Sequence, residues 1–249
     1  MKFLRSIKQA INPPPKEYHH TIERVCPDFP DENFDNHVRV YEFGMQFVPG
    51  KDVLDVGCGT GYGSHLFSTK GARSVLAIDF SDEAISYAKD HYSHPGLKYR
   101  QMDAQKITSP DNAFDTIFSS ENIEHLQEPE LCLTHMRRVL KDGGILVMGT
   151  PNKEYFSPGM EETSNEFHPH EFYFEDIEEM LKQHFESVFI FENTVESESP
   201  LGREMKEDRR KRGKLGILPE LDQKTITLGG RQVDLTYLNN THSFMTLSW

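Results

Sequence analysis

The sequence is poor in cysteine and in basic residues, and it lacks any long apolar run. Its three cysteines, Cys26, Cys58 and Cys132, have neither the spacing of a zinc site nor the even number of a disulfide framework. We therefore expect a reducing, cytoplasmic environment. No stretch of about 18 apolar residues occurs, so we expect no membrane-spanning helix. The first eleven residues are also too short and too charged for a signal peptide.

Basic residues are outnumbered, with 27 Lys and Arg against 40 Asp and Glu and a formal net charge of −13. Proteins that bind DNA or RNA usually carry the opposite balance, because neutralising phosphates supplies most of their affinity. One basic run, residues 203–214, could hold a phosphate locally, although a solvated helix face is the commoner explanation. We therefore expect a small-molecule or glycan substrate rather than a nucleic acid.

Glycine, in contrast, is concentrated in one short segment. Residues 53–63 read Val-Leu-Asp-Val-Gly-Cys-Gly-Thr-Gly-Tyr-Gly, which predicts a buried strand, a glycine-rich turn and a helix that begins near Ser64. Glycine lets the backbone approach a ligand closely, and a helix N-terminus offers unpaired N–H groups to it. The dinucleotide fingerprint G-x-G-x-x-G is not met, because Tyr62 stands at its last position.

Apolar strands and amphipathic helices alternate after this turn. We predict strands at 53–56, 74–79, 97–104, 114–120, 144–149 and 186–193, with helices at 81–91 and 174–184. Strand, turn and helix repeated in this order specify a parallel sheet with helices on both faces. Residues 228–237 and 243–249 also have strand-like composition.

Three of these strands end in a carboxylate. Asp55 ends the first, Asp79 ends the second, 22 residues after Gly57, and Asp103 ends the third. A doubly wound fold places an acid at the second of these positions, where it accepts hydrogen bonds from a ribose diol. A single strand-end Asp is usually a capping residue, but three at the ligand edge of one sheet favour a binding site.

The Asp-x-Gly-x-Gly-x-Gly turn and the two later acids resemble the class I S-adenosylmethionine (SAM) methyltransferases over about residues 38–192. The resemblance implies a Rossmann-like doubly wound α/β sheet of seven strands, the last of them antiparallel, for which 243–249 is our choice. It implies SAM as the cofactor, with the adenine amino group donating to Asp103. The implied SAM-contacting residues are Asp55, Gly57, Gly59, Gly61, Asp79, Phe80, Asp103, Ala104 and Ser120.

The same resemblance divides the chain into three parts. Residues 1–50 form a leading lid with a predicted helix at 34–47, residues 51–193 the SAM-binding core, and residues 194–249 an insertion plus the final strand. In the lid, Asn36, His37, Arg39 and Tyr41 could meet the methionine carboxylate or the substrate, or simply pack on the sheet. We expect the insertion, residues 194–241, to cover the substrate pocket or to make a homodimer contact.

The segment after the fourth strand, Glu121-Asn-Ile-Glu-His125, carries the substrate-side chemistry. A helical turn there would place Glu121, Glu124 and His125 on one face. Two carboxylates and an imidazole beside a methyl donor can serve as a general base, His125, or as a divalent metal site. Thr150-Pro-Asn and His168-Pro-His-Glu-Phe follow later in the chain.

This arrangement resembles the metal-dependent O-methyltransferases of ubiquinone biosynthesis and those that 2′-O-methylate small-RNA 3′ ends. The resemblance implies four metal ligands: Glu121, Glu124, His125 and His170. His168 is a close alternative to His170 as the fourth ligand. Such donors suit Mg²⁺, Mn²⁺ or Fe²⁺. A chelated vicinal diol or catechol would have one hydroxyl activated and held in line with the methyl group.

Other interpretations of the same residues stay open. Metal-free methyltransferases also carry Glu-His after the fourth strand, where Glu124 makes structural contacts and His125 acts as the catalytic base or only lines the pocket. The leading prediction is a SAM-dependent O-methyltransferase acting on a sugar, a glycan end or a catechol-like diol. The alternatives are an RNA 3′-end 2′-O-methyltransferase, an N- or C-methyltransferase, and a SAM-binding protein without catalysis.

Overall fold

The computed structural model describes residues 25–27, 32–160, 163, 165–192, 225–228, 230–234 and 243–249. The basic run at 203–214 and most of the predicted insertion lie outside the described residues. The helices are α1 (Glu32–Gly44), α2 (Tyr62–Thr69), α3 (Asp82–His91), α4 (Pro129–Val139), α5 (Lys153–Phe156) and α6 (Phe174–Lys182). The strands are β1 (Asp52–Val56), β2 (Ser74–Asp79), β3 (Leu97–Gln101), β4 (Phe114–Ser120), β5 (Leu140–Pro151), β6 (Val188–Glu192), β7 (Thr225–Leu228), β8 (Arg231–Asp234) and β9 (Ser243–Ser248).

Seven strands form one sheet in the order β3-β2-β1-β4-β5-β9-β6. The first five pair in parallel, whereas β9 is antiparallel to both β5 and β6. This is the doubly wound sheet that the sequence predicts, and the final strand is the predicted one. The order reverses direction between β1 and β4, so a crevice opens at the carboxyl ends of those strands.

Side chains alternate along each central strand and feed two separate cores. Val53 and Phe118 pack on the face covered by α1 and α2, whereas Leu54 and Ile117 pack on the face covered by α4 and α6. Both faces of β1 and β4 are therefore buried, which explains the continuous apolar runs in these segments. None of the helices that the structure describes is long and apolar enough to cross a bilayer.

Local signals explain most of the element ends. Ser81 caps α3 by accepting a hydrogen bond from the amide of Ala84, at 3.2 Å. The prediction for the third strand was too long, because Asp103 caps a 3-10 turn by accepting from the amide of Gln105, at 2.8 Å. The third strand consequently ends at Gln101.

Residues 228–237, which have strand-like composition, contain β8 and the last residue of β7, whereas residues 229 and 235–237 lie outside the described residues. The structure has two short antiparallel strands, β7 and β8, joined at Gly230, whose φ of 78° is a turn conformation that glycine adopts readily. Gln46 at the end of the α1 segment holds this hairpin through two bonds to the Asp234 backbone, at 2.9 and 2.6 Å. Arg231 and Val233 lie beside Ile145, near the amino end of β5. The hairpin therefore packs away from the crevice at the carboxyl ends.

Candidate active site

A cavity of about 510 Å³ opens at the carboxyl ends of β1, β2 and β4. Its walls come from the glycine turn after β1, from the strand-end acids and from the segment after β4. The residues that line it are Val25, His37, Tyr41, Gly57, Cys58, Gly59, Thr60, Tyr62, Asp79, Phe80, Ser81, Asp103, Gln105, Ser120, Glu121, Asn122, His125, Leu126, Gln127 and Phe167. Six of the nine predicted SAM-contacting residues are among them: Gly57, Gly59, Asp79, Phe80, Asp103 and Ser120.

The glycine turn leaves no room for side chains. Gly57 and Gly61 have φ angles of 76° and 83°, which L residues rarely adopt. A Cβ at Gly57 would stand 2.5 Å from Asn122 Oδ1, and one at Gly61 would stand 2.6 Å from the Ala88 Cβ. At its glycines the turn therefore exposes backbone without side chains and leads into the N-terminus of α2, an arrangement that suits the binding of a polar nucleoside.

Asp55 lies beneath the turn rather than in the cavity. It is fully buried, it accepts a hydrogen bond from the Ser64 hydroxyl, and it does not line the cavity. Burial raises the pKa of Asp55 to about 7. Its proximity to the glycine turn suits a role in shaping that turn.

Asp79 is oriented by the backbone around it. Its Oδ2 accepts from the amide of Gly59 at 2.8 Å, and its Oδ1 accepts from the amide of Ser81 at 2.9 Å. Each carboxylate oxygen has a second lone pair, so both can still accept a hydroxyl from the cavity side. Asp103 lines the same cavity, and Phe80 leaves 77% of its surface exposed at the edge. Ala104, which follows Asp103 in the sequence, is buried and does not line the cavity.

The described part of the leading segment covers one side of the cavity. Val25, His37 and Tyr41 all line it, and the Thr60 hydroxyl donates to the carbonyl of Val25 at 3.2 Å. The Tyr41 ring is buried against Phe67 and Phe118 and occupies the place where a Cβ at Gly63 would stand. Arg39 is half-buried and does not line the cavity.

The segment after β4 builds one end of the cavity. Glu121 adopts a left-handed φ of 47°, and Ile123–His125 form a single 3-10 turn. The expected helical face is therefore not formed, because Glu121 precedes the turn in a non-helical conformation. Glu121 lines the cavity, whereas Glu124 points into the protein and is fully buried.

Glu124, His125 and His168 come together at this end. One potential ligand atom from each lies within 4.8 Å of the others, and among the residues that the structure describes this is the group able to hold a metal ion. Glu124 also accepts from the Thr150 hydroxyl at 3.0 Å. His125 alone of the three lines the cavity, so it connects the buried pair to the ligand space.

His170 lies outside this group. Its backbone amide donates to the Glu124 carbonyl at 3.3 Å, and its ring Nε2 faces the Gln127 carbonyl at 3.4 Å. His168 occupies the position that the resemblance gave to His170. Residues 165–171 run as a loop, so no helical or strand periodicity indicated which of the two histidines turns inward.

The protonation of His125 follows from its neighbour. Its Nδ1 lies 2.9 Å from the Phe167 carbonyl oxygen. Because a carbonyl only accepts, Nδ1 carries the hydrogen and donates it, and Nε2 holds a lone pair in the neutral ring. Phe167, which sequence analysis missed, thus prepares His125 either to bind a cation or to accept a proton.

Comparisons with known proteins agree with this architecture. Residues 54–148 match the family model for a methyltransferase domain. The chain is 33% identical over 163 residues to a "Probable S-adenosylmethionine-dependent methyltransferase" of Mycobacterium tuberculosis, a match that covers 65% of this chain and 58% of the relative. The chain therefore spans less than two thirds of that relative's length.

Shorter matches reach proteins with different acceptors. The chain is 38% identical over 103 residues to a phosphatidylethanolamine N-methyltransferase of Cereibacter sphaeroides, covering 40% of this chain and 50% of that protein. It is 33% identical over 123 residues to a ubiquinone biosynthesis O-methyltransferase of Coxiella burnetii, covering 48% and 52%.

The fold comparison covers more of the chain. A SAM-dependent methyltransferase from Mesorhizobium loti shares the fold with a TM-score of 0.55 and 15% identity, over 83% of this chain and 95% of the other. The antiparallel β9 is the seventh strand that the resemblance to class I methyltransferases implies. Residues 54–148 thus carry a methyltransferase domain by their family match, and the chain shares the fold of a solved SAM-dependent methyltransferase.

Proposed function

We propose that this protein is a SAM-dependent O-methyltransferase that activates a substrate hydroxyl with a divalent cation held by Glu124, His125 and His168. One observation carries the proposal: His125 belongs both to the wall of the cofactor cavity and to the candidate ligand group. A hydroxyl bound near His125 would therefore lie at the acceptor end of the cavity. Glu121 and His170 lie outside the group, so the proposal does not depend on them.

The residues around the glycine turn suit SAM. Asp79 would accept the ribose hydroxyls with the lone pairs that Gly59 and Ser81 leave unused, and Asp103 would accept from the adenine amino group. The exposed ring of Phe80 can cover an apolar face of the base. SAM, when bound, supplies an electrophilic methyl group on a sulfonium centre. The protein's task is to hold an acceptor oxygen in line with it and to exclude water.

The acceptor-side residues suit hydroxyl activation. A divalent cation at this group would lower the pKa of a substrate hydroxyl. His125 presents its Nε2 lone pair because Phe167 holds the hydrogen on Nδ1. Two imidazoles and one carboxylate are donors that Mn²⁺ and Fe²⁺ accept, and Mg²⁺ prefers more oxygen. A diol, such as a sugar, a glycan end or a catechol, would offer two oxygens to such a cation.

A metal-free mechanism is the second candidate, and one observation favours it. Glu124 and His168 are buried and do not line the cavity, so His125 alone faces a ligand there. In that case His125 Nε2 would take the proton from the attacking hydroxyl itself.

Nucleic-acid substrates are disfavoured by the net charge of −13. The three cysteines are buried and form no disulfide, which is in keeping with a reducing, cytoplasmic location.

Metal content and turnover distinguish the two mechanisms. Purified protein should contain or bind Mn²⁺, Fe²⁺ or Mg²⁺, and methyl transfer to a panel of sugars and catechols should fall with chelator and return with metal. Glu124→Gln and His168→Ala should lose the metal while SAM affinity stays within about twofold. Glu128→Gln, an exposed carboxylate nearby, is the matched control.

The opposite outcome is equally clear. If chelator-treated, metal-free protein retains full turnover and only the His125 variants are inactive, a role for the cation is excluded and His125 is the base. If no hydroxyl compound is methylated but amines are, the acceptor atom has been assigned wrongly.

A further inference from the structure

Glu171 is a buried carboxylate behind the candidate ligand group. Its side chain is 0% exposed, and neither of its carboxylate oxygens accepts a hydrogen bond from the residues that the structure describes. Its ionisable neighbour is His168, whose Nδ1 lies 3.8 Å from Oε1. Burying a carboxylate is costly unless a donor or a positive charge faces it. The role of Glu171 therefore depends on what His168 presents to it.

The protonation of His168 can be deduced from Asn165. The amide Oδ1 of Asn165 accepts from the backbone N–H of Phe167 at 3.0 Å, which fixes the orientation of the side-chain amide. Its Nδ2 consequently faces His168 Nε2, at 3.3 Å. Because an amide nitrogen only donates, Nε2 of His168 must be the acceptor and bears no hydrogen. In the neutral ring the hydrogen is then on Nδ1, which faces Glu171.

We infer that Glu171 is a positioning residue for His168. It attracts the Nδ1 hydrogen, holds the ring in one tautomer and leaves the Nε2 lone pair on the side away from the carboxylate. At 3.8 Å the contact is electrostatic rather than a formed hydrogen bond. Rotation of the His168 ring toward Glu171 would shorten the distance between Nδ1 and Oε1. A bound cation would replace the Asn165 amide as the partner of the Nε2 lone pair.

The two histidines of the group are thus prepared in the same way. His125 donates its Nδ1 hydrogen to a backbone carbonyl, and His168 directs its own toward a carboxylate. Metal-ligating histidines almost always donate the second ring N–H to a carboxylate, a backbone carbonyl or a water molecule. Since this role for Glu171 rests on the proposed cation site, its test must separate the two ideas.

The first experiment measures cation affinity. Mn²⁺ is titrated calorimetrically into wild-type protein, Glu171→Gln and Glu179→Gln, the last an exposed glutamate on α6. We expect Glu171→Gln to weaken Mn²⁺ binding about 10–100-fold, as loss of an outer-sphere partner does, with SAM affinity unchanged. Glu179→Gln should match the wild type. Wild-type affinity in a folded Glu171→Gln protein would overturn the inference while leaving the cation site intact.

The second experiment needs no metal. Nitrogen-15 chemical shifts of the His168 ring in metal-free wild-type protein should report hydrogen on Nδ1. Because Asn165 favours the same tautomer, Glu171→Met is measured in an Asn165→Ala background, where it should shift the ring toward a tautomer mixture. A wild-type ring with hydrogen on Nε2, or an Asn165→Ala, Glu171→Met ring that keeps the tautomer of Asn165→Ala, would overturn the inference on its own. Absence of Mn²⁺, Fe²⁺ and Mg²⁺ binding by the wild type, with the tautomer as expected, would instead remove the proposed cation site and with it the role of Glu171 as support for a ligand.

Discussion

Asp79 combines two tasks at the scale of a single residue. Its carboxylate accepts hydrogen bonds from the backbone amides of Gly59 and Ser81, and these bonds connect the glycine turn after β1 to the start of α3. The same two oxygens face the cavity that we assign to SAM. A substitution there would remove both a ligand contact and part of the support for the turn.

We predict that Asp79→Ala weakens SAM binding by about 1.5–3 kcal/mol, the value of hydrogen bonds to a charged acceptor. Calorimetric titration of SAM measures this loss directly. Asp82→Ala, an exposed acid in the first turn of α3, is the matched control and should bind SAM like the wild type. Unchanged SAM affinity in a folded Asp79→Ala protein would contradict the assignment of the ribose site.

At the scale of elements, the turn between β1 and α2 is held by close packing as well as by hydrogen bonds. The Tyr99 hydroxyl donates to the carbonyl of Gly61 at 3.0 Å, and Ala88 of α3 packs against the same glycine. Gly61 is also the N-cap of α2, with a left-handed φ of 83°. Two separate costs, backbone strain and steric overlap, therefore apply to any side chain at this position.

Gly143 allows these two costs to be separated. It has a φ of 69°, and a Cβ built on it meets nothing within 4 Å. Gly143→Ala should thus lower the free energy of unfolding by about 1–2 kcal/mol from strain alone. Gly61→Ala should lower it by a further 1–3 kcal/mol or so from overpacking. Urea denaturation of both variants measures the difference, and equal losses would show that the neighbours of Gly61 move aside freely.

Much of the element order followed from the sequence, since apolar strands and a glycine turn depend on local signals. The predicted strand at 114–120 is confirmed, and so is the antiparallel strand predicted at 243–249, which spans Ser243–Ser248 and pairs with β5 and β6. The candidate metal group was only partly predictable. Glu124 and His125 lie in the predicted motif, but His168 and Glu171 belong to a loop whose path is decided by contacts with residues distant in the sequence, the Phe167 carbonyl with His125 and the His170 amide with the Glu124 carbonyl. The helical turn expected to begin at Glu121 is likewise absent, because Glu121 has a left-handed, non-helical conformation.

At the scale of the whole molecule, Asp55 gives the stability of the protein a specific dependence on pH. Its pKa is about 7 in the folded protein because of burial, against about 3.9 in an unfolded chain. Between these values the folded state keeps a proton that the unfolded state has lost. The contribution to stability is therefore complete below about pH 4 and is lost as the pH rises through 7.

We predict that Asp55→Asn flattens the profile of unfolding free energy between pH 5 and pH 8, by at most about 2.5 kcal/mol, because roughly two of the three pH units of the shift fall in this range. Urea denaturation without SAM at both pH values measures it, with Asp82→Asn as the matched control. Asp52 does not interfere, because the hydrogen bond from Arg73 holds its pKa well below the usual range, so its effect appears only below about pH 4. A variant with the wild-type slope would contradict the assignment.

The position of β9 also bears on how the protein is made. β6 has one neighbour in the sheet, β9, and reaches β5 only through it. On the ribosome, β6 is synthesised about 50 residues before its partner, so Ile190 and Phe191 lack their strand neighbours Thr246 and Met245 during that interval. Pairing across so long a separation is slow compared with local helix formation. Closure of the sheet is thus a late event, and the nascent chain depends on protection from aggregation until residues 243–248 emerge.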